Sequence, residues 1–166
     1  MTTFGLVAAG SGHGAVMSAL HGVCFDQAGE TPWDAQALTA LLAMPGARAF
    51  IARATETPIG FVLARRAADE GEIITIGTLP AFRRRGVAAA LLDRAIDSLV
   101  ADGAARIYLE VAADNAAAVG FYRARGFTRC GARPAYYRRA GGAIDAQIMV
   151  LEIAAGKVKP SVPSDP

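Results

Sequence analysis

The fold is decided by residues 73–111, which read IITIGTLPAFRRRGVAAALLDRAIDSLVADGAARIYLEV. Residues 73–79 form an apolar run that is typical of a strand. Apolar side chains then recur at helical spacing over residues 87–100, which predicts a long amphipathic helix. Apolar and polar residues alternate over 106–111, which predicts a second strand with two distinct faces. The three segments form a βαβ unit, whose strands we expect to be parallel and joined by a right-handed crossover.

The segments on both sides of this unit predict further strands and helices. Apolar runs separated by polar turns predict strands at residues 4–8, 49–54, 59–64, 128–132 and 146–153. Helical periodicity and capping residues predict helices at residues 15–24, after an N-cap at Asp34, and from Asn115 to a left-handed Gly126. We therefore predict an α/β (α+β) fold in one domain at residues 1–155, with helices on both faces of a mixed, mostly antiparallel, twisted sheet of about six or seven strands. Residues 156–166 contain three prolines and no apolar periodicity, which predicts a flexible C-terminal tail.

Composition and charge exclude several classes of protein. Hydrophobic residues make up 53% of the 166 residues and charged ones 19%, which excludes a disordered chain. The 17 basic and 15 acidic residues are too balanced to indicate a direct nucleic-acid partner. The two cysteines fit neither a metal site nor a disulfide framework. Residues 1–25 lack the basic start of an export signal, and no apolar run approaches the roughly 18 residues of a membrane span, so we expect a cytoplasmic protein.

The segment Arg83-Arg84-Arg85-Gly86-Val87-Ala88 stands between the first strand and the long helix of the βαβ unit. The first N–H groups of a helix have no intrahelical partners and the helix dipole adds partial positive charge, so an anion is favoured there. Small residues leave that backbone accessible, while arginines add charge. The pattern predicts a pyrophosphate site formed by Arg83, Arg84, Arg85, Gly86, Val87, Ala88 and Ala89. A solvated, charged entry to the helix is an equally good interpretation of this segment taken alone.

A second glycine-rich segment, Gly10-Ser11-Gly12-His13-Gly14-Ala15, matches the dinucleotide fingerprint G-x-G-x-x-A, with Glu30 about the expected distance onward. A nicotinamide-dependent enzyme is therefore an alternative. Its context is unfavourable, because Glu30 lies in a predicted loop and the next two strands form a hairpin where a parallel strand is required.

Glu110 and Tyr122 are candidate catalytic residues. Glu110 lies near the carboxyl end of the second parallel strand, where ligands of α/β sheets collect, and Tyr122 lies on the next helix. A carboxylate can accept a proton from an attacking ammonium and a phenol can donate one to a leaving group. A salt-bridged strand carboxylate and a core aromatic are the alternative interpretations.

Three segments together resemble the GNAT superfamily of N-acetyltransferases. Residues 83–88 resemble its coenzyme-A motif Q/R-x-x-G-x-G/A, residues 109–115 (LEVAADN) resemble L-E-V-x-x-x-N, and residues 121–127 (FYRARGF) resemble x-Y-x-x-x-G-F. The order and spacing of the three are hard to explain otherwise. The resemblance implies a GNAT-like fold and transfer of an acetyl group from acetyl-coenzyme A (acetyl-CoA) to an amine, without a metal.

The resemblance also implies roles for individual residues. Glu110 would be the general base and Tyr122 the general acid of a direct transfer in a ternary complex. Asn115 would contact the coenzyme, residues 84–89 would hold its pyrophosphate, and strand groups of Ile76, Gly77 and Thr78 would meet the acetyl carbonyl and the pantetheine arm. The chain departs from the family pattern at Thr78 and Leu79, where valine and an acidic residue are more usual, and at Ala88, which replaces the second glycine.

Three outlying segments resemble the bacterial ribosomal-protein-alanine N-acetyltransferases within this superfamily. They are Pro32-Trp33, Arg133-Pro134-Ala135-Tyr136-Tyr137 and Asp145-Ala146 with Met149. This resemblance implies that the acceptor is the N-terminal α-amine of a protein, in that group a ribosomal one. Trp33, Tyr136 and Tyr137 are our candidates for the wall that binds the peptide.

The residues leave the acceptor open. About 14% of an α-amine but only about 0.04% of a lysine is neutral at pH 7, so an N-terminus asks less of a base, although lysine acetyltransferases supply the difference. A small-molecule amine, a protein lysine and a noncatalytic acetyl-CoA sensor all stay as alternatives. We expect a monomer or a weak homodimer.

Overall fold

Seven strands and four helices alternate along residues 3–155, which are the residues described by the structure, a computed structural model. The strands are β1 (Gly5–Ala9), β2 (Ala47–Ala54), β3 (Thr57–Ala67), β4 (Glu70–Thr78), β5 (Arg106–Ala112), β6 (Thr128–Arg139) and β7 (Gly142–Glu152). The helices are α1 (Gly14–Phe25), α2 (Ala35–Leu42), α3 (Val87–Ala101) and α4 (Ala116–Arg123). The predicted flexible tail, residues 156–166, lies outside the described residues.

The strands form one sheet in the order β1-β2-β3-β4-β5-β7-β6. Only β4 and β5 among these neighbours are parallel, and α3 connects them. The predicted βαβ unit and the mixed, mostly antiparallel sheet are therefore confirmed. Because β1 pairs antiparallel with β2 at the edge of the sheet, the glycine-rich segment after β1 does not begin a parallel βαβ unit, and the dinucleotide interpretation loses its structural basis.

Helices cover both faces of the sheet, as predicted. Alternate residues of a strand point to opposite faces. In β3, Phe61 belongs to the core under α1 and α2, whereas Val62 belongs to the core under α3 and α4. The buried side chains Leu91 and Leu99 attach α3 to its face, which is the apolar stripe expected from the helical spacing. None of the helices within residues 3–155 is long and apolar enough to cross a membrane.

The last hairpin is longer than predicted. Strand β6 was expected to end at residue 132, but it continues to Arg139. The pairing register with β7 shifts between Arg133 and Tyr137, where Ala135 has a left-handed φ of 52°. The carboxylate of Asp145 holds this bulge by accepting a hydrogen bond from the N–H of Ala135 at 2.8 Å. A bulge breaks the two-residue alternation that marks a strand, which is why the sequence pattern ended too early.

Candidate active site

Strands β4 and β5 separate part-way along their length. Their parallel pairing runs from Glu70 with Arg106 to Ile73 with Leu109 and goes no further. The register between β3 and β4 also shifts at this point, because β4 contains one extra residue, Ile74. The carboxyl halves of the two strands therefore border a wedge-shaped opening in the middle of the sheet.

Three adjoining cavities follow this opening. The first, of about 320 Å³, lies between the diverging strands and is bordered by Glu110 and Tyr122. The second, of about 500 Å³, adjoins it at Asn115. The third, of about 350 Å³, lies at the start of α3 and adjoins the second at Thr78. Because neighbouring cavities share lining residues, the three lie in a row from the N-terminus of α3 to the carboxylate of Glu110, and we call this row of cavities the channel.

The N-terminus of α3 offers bare backbone to this channel. Gly86 has a left-handed φ of 81°, and a Cβ atom added to it would meet nothing within 4 Å. The N–H of Ala90 donates to the carbonyl of Gly86 at 3.0 Å, so the amides of the preceding helical residues have no intrahelical acceptor. The third cavity is bordered by Arg84, Gly86, Val87, Ala88 and Ala89. The end of the channel thus has the geometry of an anion site.

The two other arginines of the predicted pyrophosphate site, Arg83 and Arg85, are exposed but contact other residues of the chain. The Arg83 guanidinium donates to the carbonyls of Thr78 at 3.3 Å and Cys24 at 3.0 Å, which ties α1 to the end of β4. Arg83 still borders the second and third cavities. The Arg85 guanidinium lies over the ring of Phe82, 5.7 Å from its centroid.

The wall formed by β4 carries an unsatisfied hydroxyl. Thr78 is buried, and its Oγ1 has no hydrogen-bond partner among the described residues. Gly77 beside it has no room for a side chain, since an added Cβ would lie 2.9 Å from the Phe61 ring and 3.0 Å from Cys24 Sγ. Ile76, Gly77 and Thr78 all border the second cavity. A ligand with polar groups along its length fits this wall, because it can satisfy the buried hydroxyl.

Glu110 forms an ion pair across the sheet. Its Oε1 lies 2.5 Å from Nε of Arg133, and its side chain is 20% exposed. A second carboxylate, Glu72, borders the same cavity. Burial and the negative charge of Glu110 raise the pKa of Glu72. The carboxylate of Glu110 is thus accessible from the channel but already engaged by a cation.

Tyr122 is fixed by both ends of α4. Asn115 caps the helix, because its side-chain oxygen accepts from the N–H of Ala118 at 3.1 Å. At the other end Gly126 has the predicted left-handed φ, 88°, and the N–H of Phe127 donates to the carbonyl of Tyr122 at 3.2 Å. Burial raises the pKa of Tyr122 to about 12, so its phenol is protonated at neutral pH.

The three predicted wall residues all border the cavity that contains Glu110. Trp33 stacks on His21 with ring centroids 5.1 Å apart, and Tyr136 and Tyr137 pack edge to face at 5.1 Å. Tyr136 is 52% exposed, whereas burial raises the pKa of Tyr137 to about 12.

Several residues at the cavity were not singled out as site residues from the sequence. They are His21, Glu72 and Arg139. Glu72 could have been found from its place in β4. It is in register with Tyr108, which lies two residues before Glu110 on the neighbouring strand. His21 and Arg139 carry no local signal, because only the tertiary fold brings them to the cavity. Within residues 3–155, no group of three or more His, Cys, Asp and Glu side chains is arranged to hold a metal ion.

Comparison with known proteins agrees with this geometry. The model of the acetyltransferase (GNAT) family matches residues 17–127, which include α3, β5 and α4. The chain belongs to the GNAT family. The resemblance inferred from the three sequence segments is therefore confirmed. Apart from Tyr136, Tyr137 and Arg139, the residues that border the channel lie within the part of the chain that carries the family match.

Individual GNAT proteins are similar over most of the matched region. Ribosomal protein bS18-alanine N-acetyltransferase of Salmonella typhimurium is 39% identical over 94 residues, which cover 57% of this chain and 64% of that enzyme. The match thus spans less than two thirds of the Salmonella enzyme. N-alpha-acetyltransferase RimI of Mycobacterium tuberculosis is 39% identical over 117 residues, which cover 68% of this chain and 72% of that protein. The crystal structure of the ribosomal-protein-S18-alanine N-acetyltransferase from Escherichia coli has the same fold, with a TM-score of 0.83, 23% identity and 98% of each chain covered.

A charge placed in the anion site of this GNAT chain tests the channel directly. Ala88→Glu puts a carboxylate beside the free amides of α3, whereas Ala88→Gln adds the same bulk without charge. We expect Ala88→Glu to bind CoA about tenfold more weakly than Ala88→Gln, as measured by calorimetry at low salt. Equal affinities of the two variants would show that no phosphate group approaches this turn.

Proposed function

We propose that the chain is an acetyl-CoA-dependent N-acetyltransferase that acetylates the N-terminal α-amine of a protein, with a ribosomal protein as the first candidate. The observation that carries the proposal is the channel that joins the bare amides of α3 to a cavity bordered by both Glu110 and Tyr122. Family membership and the printed names of the relatives support the reaction class and the acceptor.

Acetyl-CoA would occupy the channel from its diphosphate to its thioester. The diphosphate would lie against the amides of Val87, Ala88 and Ala89, where the helix dipole favours negative charge. The pantetheine arm would run through the second cavity between β4 and Asn115, where its polar groups can reach the hydroxyl of Thr78. The thioester would then lie in the opening between the strands, near Glu110.

Glu110 and Tyr122 then have complementary roles. Glu110, directly or through water, accepts a proton from the acceptor ammonium, and the neutral amine attacks the thioester carbonyl to form a carbon–nitrogen bond. Tyr122 donates its proton to the sulfur as the carbon–sulfur bond breaks, so the leaving group departs as a thiol. The nitrogen loses its second proton as the amide forms, and that proton restores the phenol of Tyr122, while the proton taken by Glu110 passes to solvent. Backbone groups near Gly77 and Thr78 would stabilise the oxyanion. No acyl-enzyme is required, because both substrates can be held in one cavity at the same time.

The acceptor side of the cavity suits a peptide end. Trp33, Tyr136 and Tyr137 provide an aromatic wall, and Glu30 and Glu72 provide negative charge for a cationic amine. A noncatalytic acetyl-CoA sensor does not need an acid and a base in one cavity, so this arrangement favours an enzyme. Small-molecule amines and protein lysines remain the competing acceptors. The cytoplasmic location and the monomeric or weakly dimeric state stay predictions.

A peptide panel tests the acceptor. The panel contains lysine-containing peptides that begin with alanine, the same peptides blocked at the N-terminus, and simple polyamines. Each is offered with acetyl-CoA. We expect thiol release only with free N-termini, and mass spectrometry should locate the acetyl group on the α-nitrogen. The α-amine is favoured because its neutral fraction at pH 7 exceeds that of lysine by about 350-fold. Acetylation of the blocked peptides at lysine, or of polyamines alone, would assign a different acceptor class.

A further inference from the structure

We propose that Arg139 is a positioning residue that couples the coenzyme side of the channel to the acceptor side. Its guanidinium makes two ion pairs to different parts of the chain: Nη1 lies 2.6 Å from Oδ2 of Asp114, and Nη2 lies 3.8 Å from Oε1 of Glu30. The side chain is 22% exposed and borders both the first and the second cavity. It therefore spans the junction where the two substrates would meet.

The two partners of Arg139 belong to opposite walls. Asp114 immediately precedes Asn115, which caps α4 and borders the second cavity. Glu30 lies in the connection between α1 and α2, which also contains the wall residue Trp33. Both partners are far from Arg139 along the chain, so the contact forms only in the folded protein. Any shift of Asp114 is passed to Glu30 through one rigid, planar group.

One donor of this group is unused. The Nε of Arg139 is buried and has no hydrogen-bond partner among the described residues. An unsatisfied buried donor is unfavourable, and an amide carbonyl passing through the junction would satisfy it. The pantetheine arm carries such carbonyls. Filling the second cavity would therefore fix the guanidinium, and the guanidinium would fix the connection between α1 and α2 through Glu30. Burial raises the pKa of Glu30, while the positive charge of Arg139 opposes that rise. Arg139 therefore favours the ionised form of Glu30.

The inference rests on the proposed binding of CoA but not on the proposed acceptor, so the test uses CoA alone. Amide hydrogen exchange is measured by mass spectrometry for residues 26–34 with and without saturating CoA, and CoA affinity is measured by calorimetry on the same samples. In the wild type, CoA should slow exchange of this segment at least about fivefold. In Arg139→Gln the slowing should fall below about twofold, with CoA still bound.

Three further variants make the result specific. Arg138→Gln removes the adjacent, exposed arginine and should behave like the wild type. Arg139→Lys can keep one ion pair at a time, so CoA should slow amide exchange of residues 26–34 by a factor between those of the wild type and Arg139→Gln. Asp114→Asn weakens the shorter ion pair without changing Arg139 and should also reduce the protection, which covers the case in which Arg139→Gln folds poorly.

Equal protection in the wild type and in CoA-saturated Arg139→Gln and Asp114→Asn would overturn the coupling. No protection of residues 26–34 in the wild type with CoA bound would overturn it as well. Failure of the wild type to bind CoA would remove the proposed function and this inference together. A negative peptide panel with normal CoA-dependent protection would remove only the proposed acceptor.

Discussion

Glu110→Gln is expected to lower kcat by about 10²–10⁴-fold at pH 7, the range typical of a lost general base. The amide of glutamine has nearly the shape of the carboxylate but cannot take the proton of the acceptor ammonium. An α-amine loses its proton in solution near pH 7.8, so the deficit should shrink as the pH rises towards about 9. Initial rates of thiol release at saturating acetyl-CoA, measured from pH 6.5 to 9.5, give the loss of kcat at pH 7 and the pH dependence of that loss.

The matched control for this variant is Arg133→Gln. Either substitution breaks the ion pair between Glu110 and Arg133, but Arg133→Gln keeps the carboxylate. Arg133→Gln should stay within about tenfold of wild-type kcat, because Arg133 is largely exposed and its loss leaves the base in place. Unchanged kcat of Glu110→Gln at pH 7 would remove the assignment of Glu110 as the base. A deficit equal to that of Arg133→Gln would show that loss of the ion pair, and not of proton transfer, explains the lower kcat.

Tyr122→Phe is expected to lower kcat by about 10²-fold or more, since the leaving sulfur would depart without a proton. The ring is 8% exposed and packs edge to face against Phe121 and Phe127, contacts that phenylalanine preserves. The thermal midpoint should therefore change little while turnover falls. Tyr108→Phe is the control, because it removes a phenol of β5 that borders none of the three cavities of the channel.

The pH profile gives a second test of Tyr122. A phenol donates only in its protonated form, and burial raises the pKa of Tyr122 to about 12, so its form active in catalysis persists well above pH 10. A phenol with the ordinary pKa of about 10 would already be half ionised at that pH. We therefore expect that ionisation of the Tyr122 phenol does not lower kcat between pH 8 and about 10.5. Full activity of Tyr122→Phe across this range would mean that another group or water protonates the sulfur.

The elements that the sequence predicted well depend on local rules. The apolar spacing of α3, the alternation in β5, the N-cap at Asp34 and the left-handed Gly126 each follow from a few consecutive residues. The free backbone amides at the start of α3 were predicted for the same reason, because the first N–H groups of any helix have no intrahelical partner. Glu110 and Tyr122 were paired from their places at the end of a strand and on the next helix, the resemblance implied their roles, and the fold brings both to one cavity.

The features that were missed depend on contacts between distant segments. The extension of β6 past residue 132 relies on Asp145 to hold Ala135 in an unusual conformation, which no local pattern reveals. The hydrogen bonds from the Arg83 guanidinium to carbonyls of α1 and β4 were not foreseen, because they depend on how α1 packs, while the contact of Arg83 with pyrophosphate stays a prediction. The ion pairs of Arg139 likewise require the finished fold. Propensity and spacing alone do not contain such information.

The extra residue in β4, Ile74, interrupts the sheet where the opening of the candidate site begins, so the site exists at some expense of folding stability. A regular β4 could continue its ladder with β5 beyond Ile73 and Leu109, and each added main-chain hydrogen bond would contribute about 1 kcal/mol to folding. The chain lacks those hydrogen bonds at the middle of its own sheet, where the opening leaves room for the proposed ligand. A bound molecule that completes those interactions would then act as a temporary strand, so the protein should resist heat better when loaded than when empty.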